Sequence, residues 1–146
     1  MNRPGTIDKI LQLKERKEEE IEHEVVGLRD EVSAHETKLG SLENAYRNTL
    51  ETFHRKLGDG SLAPYEMGIF YSYFSHLTTE METNKSRIAR ALTALEVKQG
   101  ALVEAHKETR VVESLKERRS REQAKEESRR ERKEMDFLSS TKRTDG

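Results

Sequence analysis

Apolar residues recur in this chain at only two positions in every seven, and that narrow repeat limits what the chain can build. Written as heptads, the first half has a positions at Leu11, Glu18, Val25, Val32, Leu39, Tyr46 and Phe53. Its d positions are Ile7, Lys14, Ile21, Leu28, His35, Leu42 and Thr49, so that between residues 21 and 46 only His35 interrupts the seam. The second half repeats the pattern, with a at Phe74, Met81, Ile88, Leu95, Leu102 and Thr109, and d at Phe70, Leu77, Asn84, Ala91, Lys98, Ala105 and Val112. Such a stripe is too thin for a globular core and suits one partner helix. Asn84, Lys98 and Thr109 are polar seam residues, which commonly fix register at some cost in stability.

One stretch breaks the pattern. In Leu57-Gly58-Asp59-Gly60-Ser61-Leu62-Ala63-Pro64 the glycines tolerate left-handed backbone angles, and Asp59 and Ser61 can bond nearby backbone groups. Pro64 pushes Ala63 out of the helical region and is itself suited to a first helical position. The expected fold is therefore all-α, a long antiparallel two-helix coiled-coil hairpin forming a single domain over residues 1–146. Helix 1 is expected over about 6–57, a turn over 58–63, helix 2 over about 64–138 and a flexible tail over 139–146.

Composition agrees with a long-helix protein rather than a globular one. Apolar residues make up 32% of the 146 and charged residues 38%, against a usual apolar share of about 45–50%. The 27 basic and 28 acidic residues nearly cancel, so any electrostatic argument must be local. Without cysteine there are no disulfides, thiolate metal sites or cysteine nucleophiles. No window approaches the run of about 18 apolar residues that a membrane span needs, and a cytosolic protein is expected.

A short turn makes position i face roughly residue 122 minus i on the returning helix. Helix 2 then outruns the start of helix 1 by about fifteen to twenty residues, or ~25–30 Å. Composition changes at the same place. From Lys116 to Glu134 fifteen of nineteen residues are charged, nine basic and six acidic, and no apolar seam remains. Pairs such as Glu117 with Arg121 and Glu126 with Arg130 can support a solvated helix. Such a run is either a plain solvated helix or a partner-binding prong ending in Met135, Phe137 and Leu138. At the other end of helix 1's seam, Lys14 to Glu24 is also dense in charge and is expected to pair loosely.

Seven of the eight aromatic residues lie around the turn: Tyr46, Phe53, Tyr65, Phe70, Tyr71, Tyr73 and Phe74. Tyr46, Phe53, Phe70 and Phe74 are seam residues and belong to the core. Tyr65, Ile69, Tyr71 and Tyr73 are off the seam, so they are either buried by broader packing near the turn or left as an exposed amphipathic patch of the kind that marks interfaces.

Nothing in the sequence assembles a catalytic group. Two Glu-x-x-His sequences, Glu20 to His23 and Glu51 to His54, have the spacing of carboxylate-bridged metal bundles, but both lie on one helix with their histidines off the seam. No phosphate loop, metal motif or nucleophile-base pair occurs, so no enzyme, cofactor or metal is expected. Nucleic acid is not expected either, because glutamates alternate with the arginines along the C-terminal run.

The chain runs from Ile10-Leu11-Gln12-Leu13-Lys14-Glu15 through one hairpin to Leu115-Lys116-Glu117-Arg118-Arg119 and on to Glu131-Arg132-Lys133-Glu134-Met135-Asp136. On those residues, and over almost its whole length, it resembles FliJ, a bacterial flagellar type III export family. The C-terminal block is the most specific part, since the family closes with a charged helix, a short apolar-Asp-Glu sequence and a basic tail. Here the residues are Met135-Asp136-Phe137, differing at Phe137 where the family pattern has Glu.

The resemblance implies a non-enzymatic stalk, similar to the shaft of rotary ATPases, that binds the hexameric export ATPase and couples it to the cytoplasmic domain of the membrane export gate. Export chaperones are further implied partners. The resemblance implies a monomer when free, cytoplasmic, held at the inner face of the inner membrane at the flagellar base through protein contacts alone. Arg118, Arg119, Arg121, Arg129, Arg130, Met135 and Phe137 are the expected ATPase contacts, and Tyr71, Tyr73 and Leu77 the expected gate contacts, although Leu77 is also a seam residue. Two other readings remain at this stage: a coiled-coil adaptor unrelated to export, and the equivalent stalk of a virulence secretion system.

Overall fold

The computed structural model describes residues 5–144. It contains two helices, α1 (Thr6–Gly58) and α2 (Pro64–Thr144), packed against each other as a hairpin. The seam lies where the heptads place it. Every a and d residue from Ile7 to Phe53 on α1, and from Phe70 to Val112 on α2, is buried or half-buried, while most of their neighbours are exposed. Packing groups the chain into two compact units, Ile21–Ala101 and Met1–Glu20 with Leu102–Gly146.

The Ile21–Ala101 unit contains the turn. The Asp59 N-H donates to the Arg55 carbonyl (3.0 Å) and the Ser61 N-H reaches back to that of Lys56 (3.1 Å), closing the end of α1. Gly60 makes this possible, with φ at 66°, a backbone angle that side chains with a Cβ seldom take. Lys56 and Glu66 then pair across the turn at 2.9 Å. Next to it the seam aromatics interlock: Tyr46 against Phe74 (ring centroids 5.1 Å apart) and Phe53 against both Phe70 (5.3 Å) and Phe74 (6.0 Å). Ring pairs of this kind add about 0.5–1.5 kcal/mol beyond the area they bury.

Farther along this unit, Val25, Val32, Leu77 and Ala91 form the apolar core, with Asn84 fully buried among the seam residues. The Asn84 side-chain N-H donates to the Glu80 backbone carbonyl at 2.9 Å, and its Oδ1 has no hydrogen-bond partner among the described residues. Lys98, another polar seam residue, reaches Glu24 of α1 at 2.5 Å. Lys56 with Glu66 and Glu24 with Lys98 both sum to 122, the antiparallel register expected from the short turn.

In the second unit the seam is partly ionic. Ala105 and Thr109 are buried, and the Thr109 hydroxyl donates to the Ala105 carbonyl at 3.0 Å. Where the apolar seam fails at Lys14 and Glu18, a stretch expected to pair loosely, ion pairs bridge the helices instead. Lys14 and Lys17 both approach Glu108 (3.0 and 3.7 Å), Glu18 meets His106 (2.6 Å) and Asp8 meets Lys116 (2.8 Å).

α2 does not stop at residue 138 but runs to Thr144, so 139–144, expected in the flexible tail, are helical. Asp145 and Gly146 lie outside the described residues. The stretch Ser139 to Thr144 contains neither glycine nor proline to stop a helix, and the Thr141 hydroxyl bonds back to the Phe137 carbonyl at 2.8 Å. The part of α2 beyond Lys116, its last ion pair to α1 among the described residues, is accordingly longer than the fifteen to twenty residues expected.

Candidate functional site: the α2 extension and the aromatics near the turn

All described residues from Glu113 to Lys142 are exposed, and Lys116 among them still pairs with Asp8 of α1. Having started on the packed part of α2, the helix needs no new nucleus there, so each further residue adds a backbone hydrogen bond at little cost. Ion pairs one turn apart assist it: Arg118 with Glu122 (3.7 Å), Arg121 with Glu117 (3.5 Å) and Arg130 with Glu126 (3.5 Å). Each is worth about 0.2–0.5 kcal/mol in an exposed helix. The extension is thus a helix with no core of its own.

Basic and acidic residues alternate along the sequence here, but winding into a helix gathers five of the nine bases between Lys116 and Glu134 on one side and three of the six acids opposite. Arg118, Arg121, Lys125, Arg129 and Arg132 follow at steps of three or four and share one side. Glu127, Glu131 and Glu134 share the opposite side. The expected ATPase contacts are therefore divided. Arg118, Arg121 and Arg129 belong to the basic row, together with Lys125 and Arg132, which the sequence reading did not single out. Arg119 and Arg130 instead fall where the seam's heptad register continues, in line with Lys116, Gln123 and Phe137. Met135 is on neither line. Met135, Phe137 and Leu138 are all exposed, and Phe137 and Leu138 border a shallow apolar hollow with Lys133 and Glu134.

The base of the extension is set by the ion pairs of the second unit. The Lys116 ammonium, bonded to Asp8, holds that carboxyl below its ordinary value, and Asp8 in return raises Lys116. His106 lowers Glu18 by a hydrogen bond, with help from Thr109, and Lys14 lowers Glu108, again chiefly by a hydrogen bond. Of these pairs, Asp8 with Lys116 is the one nearest the extension.

The expected gate residues also separate. Tyr71 and Tyr73 are exposed, at 59% and 42%, whereas Leu77 is 3% exposed and belongs to the core. Leu77 offers no surface for a partner while the helices stay paired. Tyr73 shares a side of α2 with the exposed Tyr65 and Ile69, at successive steps of four, so an amphipathic patch is present rather than broader packing. Tyr71 is on the other side of the seam, its ring 6.0 Å from that of Phe53. The step of four from Tyr65 to Ile69 to Tyr73 was readable in the sequence and points to a patch that includes Tyr65 and Ile69.

His23 and His54 are both exposed on α1. Among the described residues no cluster of His, Asp and Glu is placed to hold a metal ion, and no helix is long and apolar enough to cross a membrane.

Comparison with known proteins adds one finding of weight. The model of a family described as flagellar FliJ protein matches residues 4–142, nearly the whole chain. No curated protein and no solved structure matches it.

Proposed function

The chain belongs to the flagellar FliJ family, whose members are components of flagellar protein export, and from that premise we propose that it acts as a stalk on the export ATPase. The observation that carries this reading is the α2 extension, an exposed charged helix with no apolar seam and no covering helix in the described chain. A surface of that kind suits a polar protein cavity, where a helix must be held by charge rather than by apolar packing. In this reading Arg118, Arg119, Arg121, Arg129 and Arg130, with Met135 and Phe137, meet the ATPase ring.

Tyr71 and Tyr73 meet the cytoplasmic domain of the membrane export gate, and Leu77 supports them from the core. Export chaperones are further partners. The free chain is a monomer in the cytoplasm, reaches the membrane only through the gate, requires no cofactor and catalyses no reaction itself.

Capture of the ATPase by the chain tests the proposal. A version lacking residues 116–146 is expected to stay helical and lose the ATPase. Unchanged capture by that version would remove the extension from the account.

A further inference from the structure

The row formed by Arg118, Arg121, Lys125, Arg129 and Arg132 extends about 21 Å at 1.5 Å per residue. All five side chains are exposed. Arg118 and Arg121 are tied only by exposed pairs to Glu122 and Glu117, and Lys125, Arg129 and Arg132 have no carboxylate within ion-pair distance among the described residues. No acidic residue between Lys116 and Met135 falls within the row, while Glu127, Glu131 and Glu134 lie across the helix from it. A charged face this regular, with none of the described residues of α1 paired to it, is open to a partner.

We infer that this row docks an acidic helix of a partner protein, one that carries Asp or Glu at the same three-and-four spacing. Successive cations rise about 4.5–6 Å along α2, which is also the rise between carboxylates on one side of a second helix, so the charges meet in register. Arginine, four of the five, can grip each carboxylate with two parallel hydrogen bonds.

Other anionic surfaces fit less well. A lipid surface requires a continuous apolar face beside the basic residues, but between Lys116 and Glu134 the only apolar residue is Ala124, and the side opposite the row carries Glu127, Glu131 and Glu134. A nucleic acid strand would find no aromatic side chain on the row to stack its bases, and would meet Glu117 and Glu122 on its two flanks.

The row shares three arginines with the proposed ATPase contact, so the test leaves the ATPase out. The probe is a fluorescent helical peptide with glutamates at i, i+4, i+7 and i+11 in an alanine and glutamine background. It is titrated against the full chain beside a scrambled isomer, an oligothymidine strand and vesicles of phosphatidylglycerol and phosphatidylcholine. The patterned peptide is expected to bind at least about tenfold more tightly than its isomer. The variant K125E/R129E/R132E abolishes that difference, as does the neutral K125Q/R129Q/R132Q, whereas R119E/R130E, off the row, preserves it.

Equal binding of the two peptides, preference for the oligonucleotide or the vesicles, or equal damage from R119E/R130E would each overturn the inference. If the chain captures the ATPase but does not distinguish the peptides, the row's chemistry is wrong and the stalk reading stands. If it distinguishes the peptides but ignores the ATPase, the reverse holds.

Discussion

Leu77, Tyr71 and Tyr73 lie within seven residues of one another, yet the seam gives them different work. Leu77 is buried, so Leu77→Ala leaves a cavity and is expected to cost about 2–5 kcal/mol, read as a clear drop in the thermal midpoint. The exposed tyrosines lose little when shortened. Changing both Tyr71 and Tyr73 to alanine is expected to cost no more than about 1 kcal/mol, mostly the Tyr71 contact with Phe53. A larger loss would make them part of the core and end their proposed role at the gate. Asn84 is a second case, fully buried with one unpaired oxygen. Asn84→Leu is expected to raise stability by about 1 kcal/mol, since an unpaired buried polar atom costs more than an apolar one. A lower thermal midpoint for that variant would mean the amide has a partner in solution. Heptads made Leu77 and Asn84 legible in the sequence, because a two-in-seven repeat leaves a and d positions nowhere to go but inward. They could not tell whether Tyr71 and Tyr73 were covered, since that depends on how widely the helices pack outside the seam.

The elements differ in what binds them. Beside the turn α1 and α2 are held by interlocked aromatic rings, whereas near Asp8 and Lys116 they are held largely by exposed ion pairs. The paired carboxyls of Asp8, Glu18 and Glu108 sit below their ordinary values of 3.8, 4.5 and 4.5, so folding holds them charged. Their contribution is complete above those ordinary values and is lost as pH falls through the lowered ones. Lys116 is raised, so its contribution is complete below 10.5 and is lost as pH rises past the raised value. The pairs of Asp8 with Lys116 and of Glu108 with Lys14 are therefore intact between about pH 5 and 10. On acidification from pH 7 to 3, amide protection at 6–20 and 102–116 is expected to fall more than at 21–101, after correction for intrinsic exchange. Equal change in both would contradict an ionic grip. Lys14 and Glu18 showed in the sequence that the apolar seam fails, and the register of roughly 122 minus i already set Glu108 opposite Lys14. That charge would replace the apolar contact there, with His106 reaching Glu18, was not drawn from it. The extension was legible as a charged helix to about residue 138 and misjudged by its last six residues, because Ser139 to Thr144 carry no apolar repeat that signals a helix and yet no glycine or proline that ends one. Its division into a basic and an acidic side was hidden by the alternation of signs along the chain.

For the molecule as a whole, the turn at Gly58 to Pro64 and the seam were enough to specify a hairpin, and the family match agrees with the resemblance carried by the closing charged block. A hairpin of unequal helices explains why α2 runs on beyond the start of α1 and offers a charged helical surface there. The most direct measurement is ATP hydrolysis by the flagellar export ATPase from the same cell, alone, with the full chain, and with a version ending at Leu115. The account predicts stimulation by the full chain and none by the shortened one, with both shown to be helical and monomeric. Equal stimulation by both, or by neither, would contradict the claim that the α2 extension is the ATPase-facing part of a stalk.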